Sequence, residues 1–322
     1  MIGEEQVVSI VSSYTGLTSD YIEAHAISAP HRYRRYTVPK ATRGWRIIMH
    51  PDPTTKAVQR ALMKKVLYAD EMHKVHRAAI AYRPGIVDPI LHAVKQHSKY
   101  KYHVKADIHD YYPSITSGVL SSIYELYTSS VQTIVGAYTL ARYPGRSYAL
   151  AIGAPTSPVL SNMVMKAYDE SLEKMLEKEF GAESYVYTRY ADDMVVSCAD
   201  EAMSRRVYLI MENQLKTVYS SALVFNQSKY RISKAGQRQM IYGLVISDDG
   251  NVGIGRGRYR KIRAKTKNMM DMLRSNAGSV DAKAIESLRG CYSHLRRNDR
   301  ESYGRLLKRF GDQLLDLLNP QT

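Results

Sequence analysis

At 322 residues and 44% hydrophobic content the chain can bury more than one core, which excludes a disordered chain or a disulfide-held miniature. Lys and Arg number 46 against 31 Asp and Glu, a net charge of +15 that predicts attraction to polyanions, nucleic acid foremost. Cys198 and Cys291 are too few for a disulfide framework and lack metal-ligand spacing, so both should be inert and a reducing, cytoplasmic setting fits.

The opening Met1-Ile2-Gly3-Glu4-Glu5 is acidic rather than a basic leader, and no apolar run reaches about 18 residues, so a soluble protein without a membrane partner is expected. Glu4 to Tyr14 reads as a short helix, and Thr18-Ser19 caps a second that Ala29-Pro30 ends. His31 to Lys40 and Trp45 to Met49 bracket the turn Ala41-Thr42-Arg43-Gly44, which predicts a basic β-hairpin. Basic residues there ordinarily serve as solvated edge protection. Thr54 to Met72 has apolar residues at helical spacing, Tyr82-Arg83-Pro84-Gly85 is a turn, and Ile86 to His97 reads as a helix. His73, His76, His92 and His97 follow no zinc spacing. Ser117 to Ala141 predicts one or two helices packed on a central sheet, and Tyr143 to Arg146 a loop. Pro155 to Phe180 contains a long helix opened by Ser157-Pro158, where proline's missing N–H would be unpaired anyway. Glu201 to Tyr219 is helical, while Leu223 to Ile232 and Met240 to Ser247 read as strands. Then Arg256, Arg258, Arg260, Lys261, Arg263, Lys265 and Lys267 follow with no acidic residue until Asp271. Such a run is ordinarily a solvated helix face, but its density equally suits a phosphate-tracking surface.

The chemistry centres on Asp192 and Asp193, side by side between the β-prone runs Tyr185-Val186-Tyr187 and Met194-Val195-Val196. That predicts a hairpin with the two carboxylates at its tip. Hairpin tips usually hold Asn-Gly or Asp-Gly, whereas adjacent like charges suit a divalent cation with hard oxygen ligands such as Mg²⁺. A bare Asp-Asp pair is ordinarily a solvated turn. Asp107, after the β-prone Val104-Lys105-Ala106, could complete a metal site.

Three segments occur together in the order and spacing of reverse transcriptases: Asp107-Ile108-x-x-Tyr111-Tyr112-Pro113-Ser114-Ile115, Gly153-Ala154-Pro155-Thr156-Ser157-Pro158, and Tyr190-Ala191-Asp192-Asp193. The chain resembles that family from about Tyr33 to Lys267. The resemblance implies an α+β right-hand polymerase fold: N-terminal helices and fingers over 1–103, a ferredoxin-like palm over 104–252, and a basic helical thumb over 253–322. The palm would be an antiparallel sheet with helices on one face, and helices within 117–150 would associate with the fingers. An RNA-directed DNA polymerase is implied, with two Mg²⁺ held by Asp107, Asp192, Asp193 and the backbone of Ile108. Asp110 matches no ligand position and reads as structural.

The same resemblance puts Lys40 and Arg46 at the triphosphate of an incoming dNTP and Tyr112 beneath its sugar, as a wall against a 2′-hydroxyl. Gly153 and Ala154 would allow close backbone approach, and Lys229 would assist pyrophosphate departure. Where most relatives carry Gln, this chain has Ile152, so a side-chain contact to the sugar is missing. Compact size and the segment Ile241 to Ser247 leading to Val252 to Ala264 resemble bacterial retron reverse transcriptases. These carry Val-Thr-Gly where this chain has Ile241-Tyr242-Gly243, and of their Asn-Ala-x-x-His mark only His97 remains, with Ala93 and Val94 at the first two places.

A retron enzyme implies a structured non-coding RNA as template and primer, priming from a 2′-hydroxyl, an RNA–DNA product, and phage defence with an effector protein or through self-association. RNA contacts are expected along the basic run and around Tyr242. The alternatives are another prokaryotic defence reverse transcriptase with protein-primed or untemplated synthesis, and an inactive RNA-binding scaffold. Intact Asp107, Asp192 and Asp193 argue against the scaffold.

Overall fold

The computed structural model describes residues 4–40, 44–68, 75–124, 129–143, 147–234, 236–237, 239–274 and 281–318. Glu4–Thr15 (α1) and Ser19–Ala26 (α2) come first, the second capped by the Thr18 hydroxyl, which accepts from the Tyr21 amide. Tyr33–Pro39 (β1) pairs antiparallel with Trp45–Pro51 (β2), and the turn residues 41–43 lie outside the described ones. Trp45, the chain's single tryptophan, is 67% exposed on this hairpin. Pro53–Leu62 (α3) runs into a π-helical turn, Met63–Leu67; the rest of that predicted helix from 69, and His73, lie outside the described residues. Pro89–His97 (α4) begins later than the Ile86 start read from the pattern, because Asp88 is left-handed and Pro89 opens the first turn.

Tyr102–Asp107 (β3) leads into the single turn Tyr111–Ser114 (α5), then Ser117–Tyr124 (α6) and Ser129–Thr139 (α7). A small hairpin that the pattern did not predict follows, Ala141–Arg142 (β4) with Tyr148–Ala149 (β5). Next come Ser157–Phe180 (α8), Tyr185–Tyr190 (β6), Asp193–Cys198 (β7) and Glu201–Tyr219 (α9). Arg231–Lys234 (β8), Gln239–Ile241 (β9), Leu244–Ile246 (β10) and Val252–Gly253 (β11) complete the strands. Arg256–Arg274 (α10), Ala282–Asn298 (α11), Arg300–Phe310 (α12) and Asp312–Leu318 (α13) follow them.

The central sheet has the order β6-β7-β3-β8, every neighbour antiparallel. Its two faces follow from the period of two along a strand. Val104, Ala106, Met194 and Val196 enter one core with Leu172 and Leu176 of α8 and Val207 and Met211 of α9. The opposite face carries Lys105, Asp107, Asp193 and Val195; Val195 packs with Val94 of α4 and with Ile241 and Leu244 of the β9–β10 hairpin. Asp107 and Asp193 therefore lie on the face that packs on α4 and the β9–β10 hairpin.

Three further expectations change. Leu223 to Ile232 is not one strand: Asn226 accepts from the Ser228 amide and hydroxyl, which favours a 3₁₀ turn at Gln227–Lys229, and pairing resumes at Arg231. Met240 to Ser247 folds back on itself because Tyr242 and Gly243 take φ of 48° and 82°, making β9 and β10 a tight hairpin. The helix α7 packs on the N-terminal helices rather than the palm sheet, its Tyr138 hydroxyl donating to the Ile22 carbonyl at 2.7 Å. Among the described residues no helix is long and apolar enough to cross a membrane.

Leu172 is fully buried between the sheet and its helices. Leu172→Ala is expected to cost about 2–5 kcal/mol of stability, read as a lower urea midpoint at unchanged m-value.

Candidate active site

Asp107 ends β3 and Asp193 begins β7, and the two are direct cross-strand partners. Antiparallel pairing holds such residues about 4.5–5.5 Å apart at Cα. Asp192 sits in the two-residue turn between β6 and β7, and its carbonyl accepts from the Ile108 amide at 3.2 Å, fastening the turn to the end of β3. Before it, Ala191 is held at φ 55°. Burial pushes the Asp192 carboxyl up to about 6, with the Asp107 charge adding to the rise. At Asp193 burial again leads and lifts the carboxyl to about 7; Lys105 opposes the rise, while Asp192 and Asp107 add to it. Lys105, two residues before Asp107 and on the same face, was not singled out in the sequence. Its ammonium is itself pulled down by burial, against the pull of Asp193.

The residues expected to meet a nucleotide lie unevenly about this cluster. Lys229 places its ammonium 2.7 Å from both oxygens of Asp107, and the neighbouring Asn226 amide donates to the Asp107 carbonyl at 2.7 Å. Arg46 is exposed on β2, and its charge reaches Asp192, opposing the rise there. Lys40 is exposed beside the hairpin turn and makes no ion pair among the described residues. Tyr112 is half-buried, its ring centroid 5.3 Å from that of Tyr111, and burial pushes its hydroxyl strongly up, with Tyr82 adding most of the rest and Asp192 least. Gly153 has φ 118°, and a Cβ there would lie 2.9 Å from the Met49 carbonyl oxygen. Ile152, the position of the departure, meets the fingers through its backbone: its carbonyl accepts from the Met49 amide at 2.9 Å. Ala154 is buried beside it.

Residues 38–245 match the reverse transcriptase (RNA-dependent DNA polymerase) family. The chain belongs to that family. It is similar to the retron Ec86 reverse transcriptase of Escherichia coli, at 28% identity over 92% of this chain and 86% of that one. To the retron Ec83 reverse transcriptase of the same organism it is 25% identical over 88% of each chain. Among solved structures it resembles a Candida albicans telomerase in complex with a TWJ fragment of telomeric RNA. The TM-score is 0.51 at 13% identity, over 95% of this chain and 59% of that chain. That likeness speaks for the fold alone, the right-hand polymerase arrangement.

Reverse transcriptases are RNA-directed DNA polymerases that use divalent metal ions. The donor set here fits such an ion in chemistry, since three hard carboxylates lie close together and two of them, Asp192 and Asp193, are raised chiefly by burial, with the neighbouring carboxylates adding to the rise. It is not a finished cage. Among the described residues no three His, Cys, Asp or Glu side chains are spaced to hold an ion, and Asp107 is engaged by Lys229.

The remaining expected contacts of the reverse transcriptase lie apart. On α10, Arg256, Arg258, Arg260, Lys261, Arg263 and Lys267 are exposed, while half-buried Lys265 donates to the Ser287 hydroxyl at 2.5 Å. Ile262, Thr266, Met269 and Met270 face inward, so the run is the outer face of an amphipathic helix. Tyr242 turns its hydroxyl into the protein, donating to the Thr188 carbonyl at 3.0 Å, rather than offering it to RNA. The Thr188 hydroxyl lies 2.7 Å from His97 Nε2, and His97 Nδ1 lies 2.7 Å from the Ser197 hydroxyl, which also meets His103. Burial lowers His97 to about 3 and His103 to about 4, so both rings are neutral. His97, which matches the retron pattern, and Tyr242, which departs from it, thus meet through one threonine.

Two outcomes follow from this geometry. Gly153→Ala forces a left-handed alanine against the Met49 carbonyl, and primer extension should fall by about tenfold or more through displacement of the 152–154 segment. A carboxyl raised on folding holds its proton better in the folded chain, so in metal-free protein it erodes stability as pH climbs from the unfolded value of about 4 through the folded one. Asp193→Asn should therefore gain in thermal midpoint relative to the parent as pH is raised across 4 to about 7, measured in EDTA.

Proposed function

We propose that this reverse transcriptase is of retron type: it copies a structured non-coding RNA into a short cDNA, primed from a 2′-hydroxyl of that RNA. The product stays joined to the RNA and serves cytoplasmic phage defence with an effector protein. The polymerase chemistry rests on one observation, the cross-strand pairing of Asp107 with Asp193 beside the turn that carries Asp192. The retron branch is supported by similarity to retron reverse transcriptases over most of the chain and by the retained His97.

The reaction forms a bond from the primer hydroxyl oxygen to the α-phosphorus of a dNTP and breaks the bond to pyrophosphate. Two Mg²⁺ held by Asp107, Asp192, Asp193 and the Ile108 carbonyl would supply charge stabilisation at the attacking and leaving oxygens together. The chain's own residues do the rest. Lys40 and Arg46 bind the triphosphate, Arg46 by a planar fork matched to phosphate oxygens. Tyr112 walls off the sugar's 2′ side, Gly153 and Ala154 let backbone approach the nucleotide, and Lys229 donates to the departing pyrophosphate. Arg256, Arg258, Arg260, Lys261, Arg263, Lys265 and Lys267 follow the backbone of the RNA–DNA hybrid on the thumb over 253–322, with fingers over 1–103 and palm over 104–252.

Purified protein with Mg²⁺, dNTPs and a primed RNA should extend the primer, and Asp192→Asn should reduce extension to background. Unchanged extension in that variant overturns the metal assignment. Sequencing of nucleic acid copurified with the protein should give a short cDNA covalently joined to one RNA; cDNA joined to protein would instead identify protein-primed synthesis.

A further inference from the structure

Arg189 is the largest side chain with no solvent exposure in the protein's described residues. It lies on β6 just ahead of the Asp-Asp turn and points to the α8 side of the sheet, away from the carboxylates. A guanidinium so placed is costly unless every arm is matched. Here each arm is. Nε and Nη2 donate to Asp169 at 2.9 and 2.7 Å, and Nη1 donates to the Asn162 side-chain oxygen at 3.0 Å. Asp169 also accepts from the Tyr187 hydroxyl at 2.6 Å, and the Asn162 amide donates to the Ala81 carbonyl at 2.8 Å. The backbone of Arg189 is fixed as well, its amide donating to Ala78 and its carbonyl accepting from Ile80.

The remaining bond of this clamp reaches the turn. Nη1 also donates to the Ala191 carbonyl at 3.1 Å. Ala191 holds a left-handed conformation, φ 55°, that an alanine adopts only under constraint, and the next residue is Asp192. That bond ties the guanidinium to the backbone immediately before Asp192.

We propose that Arg189 is the positioning residue of the catalytic turn: held by Asp169 and Asn162, it acts through the Ala191 carbonyl to keep Asp192 and Asp193 facing Asp107. The inference builds on the metal-binding reading of those three carboxylates. Its distinctive consequence is a specific rescue. Glycine takes positive φ freely, so Ala191→Gly should relieve the need for the clamp.

The test uses full-length protein carrying Arg189→Lys, with Ala191→Gly alone and combined, each checked for a cooperative thermal transition. Two readouts are taken: Mn²⁺ affinity by electron paramagnetic resonance of the free ion, and amide hydrogen exchange across residues 188–194. Arg189→Lys is expected to weaken Mn²⁺ binding about 10- to 100-fold, the range for residues that orient metal ligands, and to speed exchange in the turn. The double variant should recover most of the Mn²⁺ affinity. Should Arg189→Lys fail to fold, Asn162→Ser, which removes one arm and keeps the ion pair, replaces it with smaller shifts in the same directions. Folded variants with parental Mn²⁺ affinity, or a double variant no better than the single, overturn the proposal. If the parent binds no Mn²⁺, the metal reading fails, and exchange decides alone: unchanged exchange in the turn overturns the positioning role and faster exchange sustains it.

Discussion

Everything in the active site turns on the cost of gathering three carboxylates out of water. Asp107, Asp192 and Asp193 are brought together by strand pairing, and the surrounding core removes the solvent that would otherwise disperse their repulsion. Lys229 and Lys105 answer from the solvent side and from the sheet itself. Each lysine offsets part of the repulsion, Lys229 through its ion pair with Asp107 and Lys105 by opposing the rise at Asp193. A site that repels itself in this way must be held by something other than its own contacts.

That holding comes from beneath. The sheet's far face is a conventional apolar core, but one fully buried ion pair, Asp169 with Arg189, interrupts it directly under the turn. Removing one member of such a pair usually costs about 3–5 kcal/mol, because the other charge is then stranded. The helix α8 thus does two jobs along one length: its apolar residues make the core, and its Asn162 and Asp169 set the frame for the turn above.

Much of this was legible in the sequence, for identifiable reasons. The helices α1, α2, α8 and α9 announce themselves by period and by caps, and the hairpin carrying Asp192 and Asp193 by β-prone runs on either side of an unusual tip. The motif order fixed the family without coordinates. What stayed hidden depends on contacts distant along the chain. Asn226 breaks a predicted strand by bonding its own backbone neighbours, and Tyr242 adopts a conformation usually left to glycine or asparagine, so a single apolar run becomes a hairpin. Lys105 and Arg189 look like ordinary strand residues; only the fold reveals that one faces Asp193 and the other supports the turn from below. A basic residue inside an otherwise buried β-prone run was the available signal for Arg189, since burial demands a partner.

The fingers hairpin carries the chain's sole tryptophan, largely open to solvent and next to Arg46. Indole emission is sensitive to its surroundings, so emission excited at the red edge, where the 26 tyrosines do not absorb, reports on that one hairpin. A change in the surroundings of that hairpin can accordingly be followed in the unlabelled molecule, with no second indole to disentangle.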